Sequence, residues 1–167
     1  ARLPAISFPA TPAVRANDGA VAHWDLAPLT DALAHGLLPL VYGDVVFDEQ
    51  RGGTILSTED LFAHLARQLH PQRILLAGLE PGVWADYPAN STLIDTITPD
   101  SLELWQTSLG GSASTDVTGG MATKVNDILS LLGQLPDCEA SIFSGVQPGN
   151  VQNALLGASL GTRLTPA

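Results

Sequence analysis

The chain has 167 residues, of which 45% are hydrophobic and only 14% are charged. This composition excludes an intrinsically disordered chain and suggests secondary structure that is buried on both faces. Seven Lys and Arg residues stand against seventeen Asp and Glu residues, which gives a net charge of −10. Nucleic acids are bound mainly by neutralising their phosphates, so this charge argues against such a partner. A small anion held by backbone N–H groups and one lysine remains compatible with it.

Cysteine content and hydropathy bear on the compartment of the protein. Cys138 is the only cysteine, so no internal disulfide can form, which favours a reducing cytoplasm. We interpret Cys138 as a small packing residue. No run of 18 apolar residues is present, so we expect no membrane span. Residues 1–14 lack the features of a signal peptide, and the missing initiator Met suggests a piece of a longer chain.

The first third of the chain alternates apolar runs with polar turns. Residues 1–23 are rich in proline and are predicted to be irregular. Leucines three and four apart predict a helix over 24–36, ended by a glycine. The apolar run 37–44 predicts a buried strand followed by a turn. Residues 54–56 predict a short strand that pairs back as a hairpin.

The next segment predicts a helix between two strands. Residues 57–69 carry an apolar stripe, and Ser57 with Asp60 resembles a capping box. Residues 73–78 predict a second buried strand. Strand, helix and strand with short joins form a βαβ unit, which implies parallel pairing of 54–56 with 73–78.

The remaining elements continue the alternation. A loop, a short helix and a Gly/Ser/Thr-rich stretch come first, at 79–93, 98–108 and 109–120. A helix from Met121 to Leu132 follows on an apolar stripe. The last predicted elements are a strand, a helix and a strand, at 139–143, 151–157 and 161–164. The whole pattern predicts one α/β unit.

A Gly-Gly pair precedes the helix that carries Lys124, the only lysine in the sequence. After Gly119 and Gly120 the first N–H groups of the helix lack intrahelical partners, and the helix dipole adds partial positive charge. A phosphate binds well at such a position, and an ammonium group in the first turn adds a full charge. A glycine-rich loop with a solvated surface lysine is the alternative.

Two acidic sites are further candidates, one at Asp44 and one at the adjacent Glu59 and Asp60. Asp44 follows a predicted buried strand, which would put it at the carboxyl edge of the sheet where open α/β folds bind ligands; a plain turn aspartate is equally compatible. Glu59 and Asp60 lie in the first turn of a predicted helix, where the dipole favours carboxylates. Their functional alternative is to position a catalytic lysine or a metal ion.

The turn after the strand 73–78 is the last candidate. Gly78 and Gly82 allow close backbone approach to a flat ligand, and Trp84 is placed to flank an adenine or, alternatively, to pack in the core. The four histidines show no metal-binding spacing, and no Ser-His-Asp arrangement or Walker-type phosphate loop is present. The sequence therefore predicts no metal site built from protein side chains.

Taken together, these segments resemble the amino acid kinase superfamily and, within it, the isopentenyl phosphate kinases. The matching pieces, in order, are "GLLPLVYGDVVFD", "TILSTEDL", "RILLAGLEPGVW", "STDVTGGMATKV", "SIFSGVQPGNVQNALLG" and "GTRL". The most specific is "DVTGGM" followed three residues later by a lysine. The resemblance covers nearly all of residues 20–165.

This resemblance implies a three-layer αβα sandwich with a mainly parallel sheet. It implies a single domain over 1–167 that lacks its N-terminal portion, with the nucleotide-binding half at about 54–167. The implied activity transfers a phosphoryl group from ATP, with Mg²⁺, to a phosphate monoester, closest to isopentenyl phosphate. The family also suggests a cytoplasmic homodimer. Fosfomycin, UMP or an acyl carboxylate as acceptor, a non-catalytic nucleotide-binding or assembly module, and an unrelated doubly wound domain remain alternatives.

The resemblance also implies roles for individual residues. Lys124 matches the catalytic lysine that meets the ATP phosphates. The other implied nucleotide-binding residues are Gly78, Leu79, Glu80, Gly82, Val83, Trp84, Gly119, Gly120 and Met121. The implied acceptor-site residues are Gly43 and Asp44, and the implied positioning residues are Glu59, Asp60 and Asp116.

The chain departs from the family pattern in three places. Leu79 and Pro81 replace two aspartates, so contacts in that turn must come from the backbone or from Glu80. Glu59 stands where an aspartate is common. The family's N-terminal strand-turn and its glycine-rich loop with a phosphate-binding histidine have no match, so we expect these 167 residues alone to bind ATP weakly and to lack activity.

Overall fold

The computed structural model describes residues 3–109 and 120–166, without the side chains of 106–109. The chain divides into two compact units, which comprise Ala1–Leu69 and His70–Ala167. The first comprises β1 (Ala5–Ser7), α1 (Ala10–Ala13), β2 (Val14–Asn17), β3 (Ala20–Trp24), α2 (Ala27–Ala34), β4 (Leu38–Leu40), β5 (Asp44–Asp48), β6 (Gly52–Leu56) and α3 (Thr58–Leu69). The second comprises β7 (Arg73–Gly78), β8 (Thr96–Ile97), α4 (Pro99–Leu109), α5 (Gly120–Leu132), β9 (Glu139–Ser144), α6 (Asn150–Leu155) and β10 (Thr162–Leu164). The predicted α/β class is confirmed.

A four-stranded mixed sheet forms the centre of the first unit. Its strand order is β3-β2-β5-β6, and β1 pairs in parallel with β4. β5 and β6 form an antiparallel hairpin, which confirms the hairpin predicted for residues 54–56. Because side chains alternate along a strand, Val46 and Leu56 enter the core while Val45, Phe47 and Ile55 stay exposed on the other face.

α3 forms as its sequence predicts. The Asp60 carboxylate accepts hydrogen bonds from the backbone N–H and the hydroxyl of Ser57, at 2.9 and 2.7 Å, and Ser57 Oγ accepts from Asp60 N at 3.0 Å. This is the capping box, and it satisfies donors that would otherwise lack partners at the start of the helix. Leu61 and Leu65 carry the buried side of the stripe, and Leu61 joins the core under the sheet.

The prediction that residues 1–23 are irregular is wrong. β1, α1, β2 and β3 all lie in this region. A tight turn at Asp18 and Gly19, both with positive φ, joins β2 to β3. The buried Asp48 carboxylate accepts from the N–H groups of both turn residues, at 3.2 and 2.7 Å. The turn is therefore held by a residue 30 positions away, which local reading of the sequence does not detect.

The predicted βαβ unit is also wrong. β6 pairs with β5 in the sheet of the first unit, whereas β7 belongs to the sheet of the second, and among the described residues no ladder joins them. The local hairpin already supplies a partner for β6. In place of the single strand predicted over 37–44, the structure has β4, a short connection outside any strand, and the start of β5.

The second unit has a four-stranded sheet in the order β7-β9-β10-β8. β7 runs parallel to β9 along six residue pairs, from Arg73 opposite Glu139 to Gly78 opposite Ser144. β10 runs antiparallel to β9 and parallel to β8. The predicted helices α4, α5 and α6 and strands β7, β9 and β10 are confirmed, although β7, predicted as a buried strand, is only half-buried to exposed. α5 buries Val125, Leu129, Leu131 and Leu132.

Candidate functional site

The candidate site lies at the carboxyl ends of β7 and β9, where the loops that follow the two strands begin side by side. Gly145 N donates to Gly78 O at 2.8 Å, and Ser144 Oγ donates to Leu79 O at 3.1 Å. Carboxyl ends of parallel strands are the usual place for ligands in open α/β sheets. Residues 78–84, which we call the β7 turn, occupy this position.

The β7 turn is braced by β10. Thr162 is fully buried; its hydroxyl accepts from Val83 N at 2.8 Å and donates to Ile94 O at 2.7 Å. A Cβ added at Gly82 would lie 2.8 Å from Thr162 Oγ1 and 3.0 Å from Thr162 N. Because Gly82 has no side chain, β10 can pack directly against it. The close approach of a ligand at Gly82 stays a prediction. Val83 is buried, its N–H donates to Thr162, and its carbonyl accepts from Ile94 N at 2.9 Å, so a ligand contact at Val83 stays a prediction.

The other end of the β7 turn is open. A Cβ added at Gly78 would meet no atom within 4 Å, and Leu79 is 83% exposed. Trp84 is partly buried, and its indole N–H donates to Glu80 Oε2 at 2.9 Å. The two ends of the turn therefore differ: Gly82 and Val83 are locked into the fold, while Gly78, Leu79 and Glu80 face outward.

The structure describes only part of the phosphate-binding site predicted at the start of α5. Gly120 begins α5 with φ +72°, a conformation that favours glycine. Met121 and Lys124 follow within the first turns of α5 and are both partly buried. Gly119 and Asp116 lie outside the described residues. The assignment of Lys124 to the ATP phosphates accordingly stays a prediction.

The predicted acceptor-site residues, and the positioning residues Glu59 and Asp60, lie in the first unit. A Cβ on Gly43 would lie 2.8 Å from Leu56 O and 2.9 Å from Thr58 N, and Gly43 N donates to Thr58 Oγ1 at 3.0 Å. The structure thus brings Gly43 against the start of α3, where Glu59 and Asp60 lie. The Asp60 carboxylate is used by the capping box.

Asp44 does not follow a buried strand, as predicted from the sequence, but is the first residue of β5. Asp44 lies four residues after the end of β4, whose residues are exposed or half-buried, and its role at a ligand-binding edge stays a prediction. Thr11 Oγ1 lies 2.6 Å from Asp44 Oδ2, and Val45 N donates to Oδ1 at 2.8 Å. These hydrogen bonds, led by that of Thr11, hold the pKa of Asp44 below its ordinary value.

Two buried polar residues were missed by sequence reasoning. Thr162 braces the β7 turn, and Asp48 holds two hairpin turns of the first unit. Asp48 is 4% exposed, and besides the turn at 18–19 it accepts from Gln50 N and Arg51 N, each at 2.9 Å. The available signal was a polar residue inside an apolar strand pattern, which calls for a hydrogen-bond partner when buried.

Comparison with known proteins gives a consistent picture. The model of the amino acid kinase family matches residues 1–144. The chain is 36% identical over 170 residues to the isopentenyl phosphate kinase of Methanothermobacter thermautotrophicus, covering 98% of this chain and 62% of that protein. It is 31% identical to the enzyme of the same name from Methanocaldococcus jannaschii, covering 97% of this chain and 58% of that protein.

Solved structures are similar along nearly the whole chain. An X-ray structure of isopentenyl phosphate kinase superposes with a TM-score of 0.75 at 30% identity, covering 98% of this chain and 60% of that one. N-acetylglutamate synthase from Neisseria gonorrhoeae, with a TM-score of 0.72 at 16% identity, shares the fold, covering 99% of this chain and 38% of that one. The predicted fold class is confirmed, and the chain spans about three-fifths of the length of the kinases it matches.

Proposed function

Because this chain belongs to the amino acid kinase family, we propose that its protein transfers the γ-phosphoryl group of ATP to a phosphate monoester, most closely isopentenyl phosphate. The product would be a diphosphate, and no covalent enzyme intermediate is required. The proposal rests on similarity along nearly the whole chain to kinases of that name. Since the chain spans only part of their length, activity is assigned to the complete protein.

The observation that carries the proposal is the β7 turn itself. It lies at the carboxyl ends of two parallel strands, is fixed at one end by Thr162, and is open at Gly78. A rigid backbone with an uncovered glycine fits a ligand that approaches the main chain closely. These features suit the nucleoside part of ATP, and the start of α5 suits its phosphates.

The residues present also fit Mg²⁺ delivered with the nucleotide. Within 3–109 and 120–166, no group of three or more His, Cys, Asp or Glu side chains lies close enough to hold a metal ion. Mg²⁺ commonly binds through substrate phosphates with one or two carboxylates, so a protein cage is not required. When bound, magnesium ATP supplies the transferable group and neutralises part of its charge.

The chain's own contribution is positioning and charge. In the proposed reaction Lys124 stabilises the negative charge on the transferring phosphoryl oxygens, while the amides at Gly119, Gly120 and Met121 hold the phosphates. Asp116 is proposed to position these groups, and Glu59 keeps the positioning role that the resemblance implies. Gly43 and Asp44 are proposed to lie beside the acceptor.

An acceptor screen tests the proposal. The complete protein is incubated with magnesium ATP and, in parallel, with isopentenyl phosphate, UMP, fosfomycin and acetate as a simple acyl carboxylate, and ADP release is followed. We expect the fastest release, and a diphosphate product, with isopentenyl phosphate. Absence of release with every acceptor would contradict the kinase proposal.

A non-catalytic nucleotide-binding or assembly module is the second candidate, favoured by Leu79 and Pro81 at two positions where the family has aspartates. It predicts measurable ATP binding without ADP release. Absence of ATP binding would contradict both candidates.

We also propose that the protein is a cytoplasmic homodimer, on the basis of the resemblance and its single cysteine. Among the helices of the described residues, none has the length and apolarity needed to cross a membrane. Light scattering of the complete protein during size exclusion tests the dimer: a mass of one chain would contradict it.

A further inference from the structure

Glu80 and Trp84 are joined across the β7 turn by a hydrogen bond. The indole N–H of Trp84 donates to Glu80 Oε2 at 2.9 Å. Glu80 is exposed, and it is the only charged residue between 78 and 84. An exposed carboxylate has no need of an indole partner, since water would satisfy it equally well. What the contact adds is a fixed orientation of the indole ring.

The backbone on both sides of Trp84 is already fixed. Val83 N donates to the buried hydroxyl of Thr162, and Ile94 N donates to Val83 O at 2.9 Å. Trp84 itself forms a bridge with Leu93, and Ala85 N donates to Thr92 O at 2.9 Å. The remaining freedom at this position is rotation of the side chain. Glu80 restricts that rotation.

Two exposed apolar side chains flank the same strand ends. Leu79 is 83% exposed and Val146 is 62% exposed. Both are tied to Ser144, whose hydroxyl donates to Leu79 O at 3.1 Å and accepts from Val146 N at 3.4 Å. The open end of the site thus offers apolar surface, and the one carboxylate of the turn is engaged by an indole.

We propose that Glu80 is a positioning residue that fixes Trp84, and that the indole ring, together with Leu79, packs against the base of the donor nucleotide. This inference rests on the proposed kinase function and deepens it. Aromatic rings stack on any base, because every base offers a π-face. The turn therefore binds the base by an apolar surface and leaves the phosphates and their metal to other groups.

The competing role for Glu80 is a direct contact to the metal or to the ribose through its charge. The substitution Glu80→Gln distinguishes the two roles. Its amide oxygen can still accept from the indole N–H, but its side chain carries no charge. A positioning role tolerates Gln and fails with Ala, whereas a role that needs charge fails with both.

The experiment measures ATP binding and steady-state kinetics of the complete protein with Glu80→Gln, Glu80→Ala, Trp84→Phe and the double variant Glu80→Ala/Trp84→Phe. We expect about a tenfold rise in Kd and KM for ATP in both Glu80→Ala and Trp84→Phe, with kcat changed less than twofold. The double variant should be no worse than either single variant, because both remove the same contact. Glu80→Gln should restore the wild-type KM.

Three results would overturn the inference: equal damage from Gln and Ala at position 80, additive losses in the double variant, or unchanged ATP affinity in Glu80→Ala and Trp84→Phe. Thermal unfolding of each variant controls for misfolding; Trp84→Phe keeps an aromatic ring in place and so serves where a larger truncation would not fold. If the wild-type protein binds ATP but the variants match it, only this inference fails. If the wild-type protein binds no nucleotide, the proposed function fails with it.

Discussion

At position 162 a single hydroxyl group connects β10 to the β7 turn and to the segment before β8. It is fully buried, accepts from Val83 N and donates to Ile94 O. Thr162→Val keeps the shape but leaves both backbone groups without their partner, so we expect a loss of about 1–3 kcal/mol in the free energy of unfolding. Chemical denaturation measures it. Thr162→Ser, which keeps the hydroxyl, is the matched control, and a Val variant as stable as wild type would contradict the bracing role.

Because of Asp48, the stability of the first unit should depend on pH. Burial alone would raise its pKa, but hydrogen bonds from the N–H groups of Arg51, Gly19, Gln50 and Asp18 outweigh burial and hold the pKa below the ordinary value of 3.8. A lowered folded-state pKa means that the stabilisation is present above about pH 4 and is lost as the pH falls through the folded value.

The prediction is that Asp48→Asn unfolds at a lower temperature than wild type at pH 7, because its amide nitrogen would face Gly19 N–H. The difference should shrink as the pH falls through the folded-state pKa and the wild-type carboxylate becomes protonated. Thermal unfolding followed by circular dichroism at several pH values measures it. Asp31→Asn, an exposed site on α2, is the control. A difference that stays constant with pH would contradict the assignment.

On the scale of an element, the two glycines of the β7 turn separate stability from binding. Gly82→Ala places a Cβ 2.8 Å from Thr162 Oγ1 and 3.0 Å from Thr162 N, so we expect it to destabilise the fold by about 1–3 kcal/mol. Gly78→Ala meets no atom within 4 Å and should leave stability unchanged within about 0.5 kcal/mol. If the nucleotide approaches the main chain at Gly78, its KM should rise in the second variant. A Gly78→Ala variant that loses stability but keeps the wild-type KM would contradict this division.

Elements whose signals are local could be predicted from the sequence. α3 has its apolar stripe and capping box within thirteen residues, and β7 and β9 are apolar runs between turns. β2 and β3 could not be predicted, because their turn is held by Asp48 from a distant strand. Pro9 and Pro12 suggested irregular structure, but Pro9 is the N-cap of α1 and Pro12 lies within this four-residue helix. Because α1 has only one turn, most of its backbone N–H groups have no partner inside the helix, and the N–H that proline lacks is not needed.

On the scale of the molecule, the alternation of apolar runs and helical stripes is enough to predict an α/β chain, but not which strands pair. β6 pairs with its hairpin neighbour rather than with β7, since a local partner costs less chain entropy than a crossover. The site divides in the same way. The glycine-rich motif and the turn glycines are visible as sequence, whereas the contact from Val83 to Thr162 spans 79 positions and only the folded chain brings it together.

The net charge of −10 over these 167 residues bears on the proposed role of Lys124. The proposed substrates, ATP and a phosphate acceptor, are both anions, so the net charge of these residues repels them and attraction must come from local groups. Arg51 pairs with Asp18, Arg163 pairs with Glu139, and Arg73 donates to carbonyls at the end of α6. The only lysine of the chain, four residues into α5, is the cation that the sequence pattern assigns to the phosphates.

We therefore expect Lys124→Met in the complete protein to lower kcat by about 10²–10³-fold, because charge stabilisation of the transferring phosphoryl group is lost. The fold should survive, since Met continues a helix as well as Lys does. Steady-state ADP release at saturating ATP measures the effect, and circular dichroism checks the fold. Lys124→Arg, which keeps the charge but changes its geometry, should retain more activity than Met. Turnover near the wild-type value in Lys124→Met would show that another group neutralises the phosphates and that the start of α5 is not the cradle we propose.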